Sequence, residues 1–333
     1  MIADGVAFAR TRQGDALPVI DVTHPRFALP DDPDLVRRLG DAFAAQERRR
    51  RLIPRFVLRR MMAAAAKQSR LVRAVFHAPT GYLDSISTYV MKLGADNLVP
   101  PFDTAMDRRV ASSPHVPLMR LRMQQIAHSL AGALASDLAA APRGAPLAVI
   151  DIGGGPALDA VNALIVLRRD RPGLLEDRRI TVAVLDADGD GAFFGANALS
   201  ALAAQGPLAG LDAAMTHRDY DWERPAVLQG MLAELVVAGA VIIATSEGAL
   251  FEYGSDAAIV ANLIALRAGG VRHVTGSVTN PHDLRRRMID RTLFKLKPRG
   301  LEGIAPLFAA GGFRVVASED AFLSTQVLLQ AAP

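Results

Sequence analysis

The stretch that decides the fold is LAVIDIGGGPALDAV, residues 147 to 161. It consists of a short apolar run, three consecutive glycines and a segment with the apolar spacing of a helix. A continuous apolar run of this kind is typical of a strand buried on both faces of a parallel sheet. Glycines allow the backbone to approach a ligand closely, and a helix N-terminus favours negative charge. The stretch therefore predicts a strand, a ligand-binding loop and a helix.

Four further apolar runs follow this stretch, and helical segments separate them. They are ITVAVLD (180 to 186), AAMTHRD (213 to 219), AVIIAT (240 to 245) and VRHVTGSV (271 to 278). Strands spaced by helices predict an α/β fold with a parallel sheet covered on both faces. The end of the chain differs, because GGFRVVASEDAFLSTQVLLQ contains two strand-like runs around a short turn. This segment predicts a closing antiparallel hairpin.

The first part of the chain has a different pattern. Residues 1 to about 30 contain scattered prolines and little periodicity, which predicts an irregular arm. Helix-forming segments follow, the last of them a long amphipathic run over residues 118 to 140. APRGAP at 141 to 146 then breaks the chain. We therefore expect an N-terminal all-α domain at 1–145, acting as a substrate cap or a dimerisation domain, and an α/β domain at 146–333.

The composition is that of an ordinary globular protein, with 333 residues of which 50% are hydrophobic and 22% charged. The absence of cysteine excludes disulfides and thiolate zinc sites. No His, Asp and Glu set has metal-ligand spacing, so no metal is expected. The N-terminus has no signal-peptide pattern, and the longest apolar run falls short of the about 18 residues of a membrane span. A cytoplasmic location is the expectation.

Charge is distributed unevenly along the chain. Residues 1–145 contain 21 Lys and Arg against 13 Asp and Glu, and the remainder contains 17 against 21. The densest basic run is ERRRRLIPRFVLRRMM at 47 to 62, interrupted by Pro54. Such a run is compatible with a nucleic-acid or membrane contact, but also with a solvated helix face or with partners for the acidic second half. No aromatic residues alternate with the arginines as base stacking would require.

The glycine loop does not match the common nucleotide-binding patterns. A dinucleotide loop needs G-x-G-x-x-G, and Leu158 stands where the third glycine belongs. The Walker pattern fails because no Lys-Ser or Lys-Thr follows. Asp151, directly before the loop, would repel a pyrophosphate and suits a cofactor that carries an amino-acid cation.

These residues resemble the first motif of the class I S-adenosylmethionine-dependent methyltransferases, an acidic residue, any residue and then G-x-G-x-G. The motif reads Asp151 to Ala157 here, with alanine in place of the third glycine. The resemblance covers about residues 146–331. It implies a Rossmann-like methyltransferase fold with a mostly parallel seven-stranded sheet and a C-terminal antiparallel hairpin. It also implies S-adenosylmethionine as cofactor, with Gly153, Gly154 and Gly155 approaching its methionyl and ribose portion.

The resemblance places further cofactor contacts at the ends of later strands. Asp186, with Ala187 beside it, matches the acid that holds the ribose hydroxyls, since a carboxylate can accept two hydrogen bonds. Asp219 matches the acid near the adenine, with Asp221 as second choice; Tyr220 and Trp222 would flank the base. Each acid alone could equally cap a turn. Three acids at three successive strand ends favour a ligand site.

The fourth strand ends in Ser246 and Glu247, which the resemblance places facing the transferred methyl group. The Asp/Asn-Pro-Pro-Tyr form of the adenine, cytosine and glutamine methyltransferases is absent, so those substrates are not supported. The catalytic residue stays open, with Glu247 and His282 as candidates. The candidate acceptor contacts are Tyr89, Lys92, Phe251, Tyr253 and Asn280.

The function expected from the sequence is methyl transfer from S-adenosylmethionine to a small-molecule acceptor, with S-adenosylhomocysteine as product. Three alternatives remain: an RNA- or protein-modifying methyltransferase, a non-catalytic methyltransferase-like binding protein, and a nicotinamide oxidoreductase. The missing third glycine and Asp151 disfavour the last of these. The sequence leaves a homodimer open and defines neither the acceptor atom nor the oligomeric state.

Overall fold

The computed structural model describes residues 2–76, 83–289 and 294–333. The chain begins with a small antiparallel sheet of β1 (Ile2–Ala3), β2 (Val6–Arg10) and β3 (Ala16–Pro18). The expectation of an irregular arm, and of a wholly α-helical first part, was therefore wrong for residues 2–18. Asp4 and Gly5 both have positive φ and form the two-residue turn that joins β1 to β2. The short apolar run of β2 is buried against the α/β part, which stabilises it as a strand.

Residues 33–140 are mainly helical, as expected. Asp32 and Asp84 cap the N-termini of two of the helices by accepting backbone N–H hydrogen bonds. Pro54 directly precedes the second helix, so the basic run 47–62 is divided between two helices. The helices are α1 (Pro33–Arg50), α2 (Arg55–Ala65), α3 (Arg70–Phe76), α4 (Ser85–Leu93), α5 (Ala105–Ala111) and α6 (His115–Ala140).

The α/β part contains the large sheet, and its strands coincide within a residue or two with the predicted runs. The strands are β4 (Leu147–Ile152), β5 (Arg179–Leu185), β6 (Asp212–Arg218), β7 (Val241–Ser246), β8 (His273–Thr279), β9 (Phe313–Asp320) and β10 (Ser324–Ala331). The helices between them are α7 (Leu158–Asp170), α8 (Gly189–Gln205), α9 (Ala226–Val237), α10 (Leu250–Tyr253), α11 (Asp256–Ala268), α12 (Asp283–Ile289) and α13 (Gly300–Ala310).

The sheet order is β6-β5-β4-β7-β8-β10-β9, and β10 runs antiparallel to both of its neighbours. This confirms the predicted fold: a mostly parallel seven-stranded sheet with a C-terminal antiparallel hairpin. The chain moves outward from β4 to β6 and then returns to place β7 on the other side of β4. Beside β4 the strand order therefore reverses, and ligands of such sheets bind at the carboxyl ends near this point.

Side chains of β4 alternate between two apolar clusters. Val149 belongs to a cluster with α7, α8 and the N-terminal residues, whereas Ile150 and Ile152 belong to a cluster with α9, α11 and α13. The first cluster contains residues from both sides of residue 145, because α6 packs against α7, β8 and β10. The two parts of the chain thus share a core, and a division at residue 145 stays a prediction.

Candidate active site

A large cavity lies between the carboxyl edge of the sheet and the N-terminal helices. Its volume is about 2510 Å³. One wall consists of the loops that follow β4, β5, β6 and β7, and the other consists mainly of α1 to α6. The cavity therefore lies at the position where the strand order predicts a ligand.

The glycine loop forms the base of this cavity, and its shape requires glycine. Gly153 and Gly155 have φ values of 72° and 55°, which residues other than glycine rarely adopt. A Cβ on Gly155 would lie 2.8 Å from the Cβ of Ser85, and one on Gly153 would lie 2.5 Å from that of Ala249. Backbone atoms thus form this wall, as a loop that approaches a ligand requires.

Ala157 also lies in the left-handed region, with φ of 51°, and it is completely buried. It occupies the third glycine position of the family motif, so the conformation that favours glycine is retained here with alanine. The following helix, α7, begins only at Leu158. Pro156 therefore belongs to the loop and not to the first turn of the helix.

Asp151 is fully buried one layer below the cavity wall. Its carboxyl group lies directly against Gly154, where an added Cβ would come 2.0 Å from Oδ1. Among the described residues no donor reaches either of its carboxylate oxygens. Burial raises the pKa of Asp151 well above its usual range, and the nearby carboxyl of Asp159 raises it further. The predicted contact with a cofactor cation remains a prediction, since the side chain lies beneath the loop.

Asp186 lies on the cavity wall at the end of β5, where the sequence places it. One carboxylate oxygen accepts the N–H of Gly155 at 2.8 Å, and the other accepts the N–H of Asp188 at 2.8 Å. Burial raises the pKa of Asp186. The two oxygens retain further lone pairs for hydroxyl donors. Asp186 thus joins the glycine loop to the β5 loop, and the adjacent Ala187 also lines the cavity.

The loop after β6 contributes different residues from those first chosen. Asp219 is exposed and is absent from the wall, whereas Tyr220, Asp221 and Trp222 line the cavity. The Tyr220 hydroxyl donates to Oδ1 of Asn262 at 2.5 Å, and the Asn262 amide donates to the Trp222 carbonyl at 2.7 Å. These bonds fix the loop so that the Trp222 ring covers Gly153. In this loop Asp221 and Glu223, and not Asp219, are the acids that line the cavity.

At the end of β7 the two predicted residues differ in role. The Ser246 hydroxyl donates to the Ile152 carbonyl at 2.8 Å and accepts the Leu250 N–H at 3.0 Å, so it joins the end of β7 to β4 and to the start of α10. Glu247 lines the cavity and bonds to two cations, the Lys92 ammonium and Nε of Arg122, the latter at 2.5 Å. Burial alone raises the pKa of Glu247, but the two cations outweigh burial and lower it. Glu247 is thus held as a carboxylate.

The candidate acceptor contacts separate into two groups. Lys92, Tyr89 and Tyr253 line the cavity, although the buried Tyr89 hydroxyl is engaged, donating to the Pro18 carbonyl at 2.5 Å and accepting the Ile20 N–H. The other two acceptor candidates lie elsewhere: Phe251 packs in the core against Phe308, and Asn280 is bonded to Asp320 and Thr325. The catalytic candidate His282 also lies outside the cavity, exposed and stacked on Phe322.

Several residues that shape the site were missed by the sequence reasoning. Arg122 on α6 also lies 3.4 Å from Glu252, whose carboxylate accepts the Ser277 hydroxyl at 3.1 Å. Ser85 donates its N–H and its hydroxyl to Asp188, at 3.0 and 2.6 Å. These contacts join segments far apart in the chain.

The residues present fit the cofactor that the family resemblance implies. The glycine loop forms a cradle that a Cβ would fill, the buried carboxyl of Asp151 lies behind it, and Asp186 offers acceptors for hydroxyl groups. Among the described residues no cluster of His, Asp and Glu could hold a metal ion. Within the same residues no helix is long and apolar enough to cross a membrane.

No family model and no curated protein matches the sequence. The fold is similar to that of a possible exported protein from Bordetella parapertussis, with a TM-score of 0.55, 16% identity, and coverage of 90% of this chain and 95% of that one. Magnesium protoporphyrin IX methyltransferase from Synechocystis PCC 6803, with bound S-adenosylhomocysteine, has a TM-score of 0.42, 17% identity, and coverage of 66% and 87%. The sheet, mostly parallel and seven-stranded with a closing antiparallel hairpin, is the one that the sequence resemblance to the class I S-adenosylmethionine-dependent methyltransferases implies.

Proposed function

We propose that the protein transfers a methyl group from S-adenosylmethionine to a small-molecule acceptor. The observation that carries this proposal is the junction of the glycine loop with Asp186, in which the loop N–H of Gly155 binds the acid at the end of the next strand. The exposed backbone of the glycine loop and a carboxylate that could accept from hydroxyl groups thus meet beside β4, where the strand order reverses.

Each part of the wall has a role in holding the cofactor. The loop Gly153–Gly155 would contact the methionyl portion through its backbone, and Asp186 would accept from the ribose hydroxyls. Tyr220 and Trp222 would flank the base, with Asp221 near its amino group. The acidic character of this wall complements a cofactor that carries two cationic groups. When bound, S-adenosylmethionine supplies an electrophilic methyl group on a sulfonium.

The residues around Glu247 favour catalysis by positioning. A carboxylate that already accepts from Lys92 and Arg122, with a lowered pKa, is a weak proton acceptor. Glu247 is therefore better suited to hold α4 and α6 against the end of β7 than to act as general base. Holding the acceptor in line with the methyl group, in a site from which water is excluded, supplies much of the rate enhancement of such a displacement.

A conservative pair of variants tests the placement of the cofactor. We expect Asp186→Asn to weaken binding of radiolabelled S-adenosylmethionine about tenfold in equilibrium dialysis, because hydrogen bonds to a charged acceptor are lost. Asp212→Asn is the matched control and should bind as the wild type does, because Asp212 begins β6 and so lies at the other edge of the sheet from Asp186. Equal affinity in all three proteins would contradict the assignment of Asp186. This variant is preferable to Gly155→Val, which would also strain the loop at a positive φ.

A further inference from the structure

We propose that the helical side of the cavity binds acceptors that combine a large apolar body with an anionic group such as a carboxylate. This inference deepens the proposed function, on which it rests, by naming the acceptor class of the same site. It follows from three features of the described residues: the division of charge across the cavity, the arginines without partners, and the methionines on the wall.

Charge is divided between the two walls of the cavity. Among the described wall residues before position 146, eight are basic and three are acidic; among those after it, seven are acidic and one is basic. The acidic wall faces the place proposed for the cationic cofactor. An opposed basic wall attracts a ligand of opposite charge, and it disfavours a second cation. The acceptor expected at the helical wall is therefore an anion.

Three of the arginines on the basic wall are available for such a ligand. Arg50 bonds to Glu47 at 2.9 Å, Arg70 lies 3.4 Å from Asp15 and Arg122 bonds to Glu247, so these three already have carboxylate partners. Arg73 donates to the Ala66 carbonyl at 3.1 Å. Within residues 2–76, 83–289 and 294–333, no carboxylate pairs with the remaining three, which are exposed and come from α1, α2 and α5. These are Arg49, Arg59 and Arg109. Arginine can bind a carboxylate through two parallel N–H groups.

The rest of the helical wall is apolar and adaptable. Five of the ten methionines of the chain line this one cavity, and all five belong to the helical side. They are Met61, Met62, Met91, Met106 and Met119. Methionine side chains are flexible and polarisable, and they suit the binding of bulky apolar groups. The anionic group of the acceptor would thus accompany an apolar body.

The size of the cavity agrees with a large acceptor. Sites for a single small molecule typically measure roughly 300–1,000 Å³. The cavity of about 2510 Å³ leaves room beyond one cofactor molecule. The arginines and the methionines belong to the helical wall, so an acceptor there would extend from that wall toward the glycine loop.

Matched fluorescent probes test this inference on the full-length protein. We expect 1-pyrenebutyrate to bind at least about tenfold more tightly than 1-pyrenebutanol, which has the same apolar body without the charge. The double variant R59Q/R109Q should lose this preference. The control R143Q, an exposed arginine away from the cavity with a side chain 83% accessible, should retain it. Butyrate, an anion without the apolar body, should not displace the probe at equal concentration.

Each result separates this inference from the proposed function. Equal binding of the acid and the alcohol, or an unchanged preference in R59Q/R109Q with a thermal transition like that of the wild type, would overturn the anionic part. Displacement by butyrate would overturn the apolar part. Binding of S-adenosylhomocysteine, measured alongside, should be unchanged in R59Q/R109Q. If S-adenosylhomocysteine binds and neither probe does, the acceptor class is wrong while the proposed function stands.

Discussion

At the scale of single residues, Asp151 is the most informative group in the site. Its carboxyl is completely buried, receives no hydrogen bond from described residues and lies near a second acid, Asp159. Burying an ionised carboxyl without a partner is costly, so burial and the neighbouring acid raise the pKa of Asp151 and favour its protonated form. The pKa of Asp151 is expected to fall when a cation binds on the other side of the loop.

This pair leads to a prediction of proton release. A cofactor ammonium near Asp151 favours the ionised carboxyl and lowers its pKa, so binding should release a proton, and affinity should rise as the pH increases. Calorimetric titrations of S-adenosylhomocysteine in phosphate and in Tris buffer measure the release directly. The release should be absent in Asp151→Asn, which cannot ionise. Identical proton release in wild type and variant would show that Asp151 does not sense the cofactor.

At the scale of elements, the bridge formed by Lys92, Glu247 and Arg122 connects α4 and α6 to the end of β7. The side chains are buried, with exposed fractions of 9%, 6% and 10%. Removing one charge from such a cluster leaves the others without compensation in a poorly solvated place. The bridge therefore couples the helical wall of the cavity to the wall that the sheet provides.

Truncation of Glu247 should accordingly be costly. We expect Glu247→Ala to lower the free energy of unfolding by about 3 kcal/mol, because Lys92 and Arg122 become buried cations with an incomplete set of partners. Glu234→Ala provides the matched control, since the Glu234–Arg218 pair is largely exposed and should contribute less than about 1 kcal/mol. Urea denaturation measures both. A similar loss in the two variants would refute the importance of the bridge.

The elements also show how far the sequence determines the structure. The strands of the large sheet and its closing hairpin could be predicted because each is an apolar run bounded by turn residues, a local pattern. The small sheet at the N-terminus could not, because its strands are short and depend on packing against α8. The turn at Asp4–Gly5 was a signal available for its first hairpin.

The candidate site was predictable to the extent that it depends on strand ends. Asp186 and the glycine loop follow from the parallel sheet, since the carboxyl ends of its strands share an edge. Asp219 and Asn280 do not line the cavity, because a change of one or two residues in a loop decides which side chain faces it. The partners of Glu247 could not be foreseen, since Arg122 reaches it only through the packing of α6 against the sheet.

At the scale of the whole molecule, the uneven charge of the sequence acquires a spatial meaning. The excess of basic residues in the first 145 positions and of acidic residues afterwards reappears as two opposed cavity walls. The shared apolar cluster holds these walls together, so the cavity belongs to both parts of the chain. A cationic cofactor at one wall and an anionic acceptor at the other would be the natural arrangement.

The central claim is that this cavity holds S-adenosylmethionine. Isothermal titration calorimetry of the wild-type chain with S-adenosylhomocysteine, and separately with NAD⁺, tests it most directly. We predict saturable binding of one S-adenosylhomocysteine per chain and no heat with NAD⁺, because Asp151 and the missing third glycine disfavour a pyrophosphate. Folded protein that binds neither S-adenosylhomocysteine nor S-adenosylmethionine, or that binds NAD⁺ instead, would contradict the account.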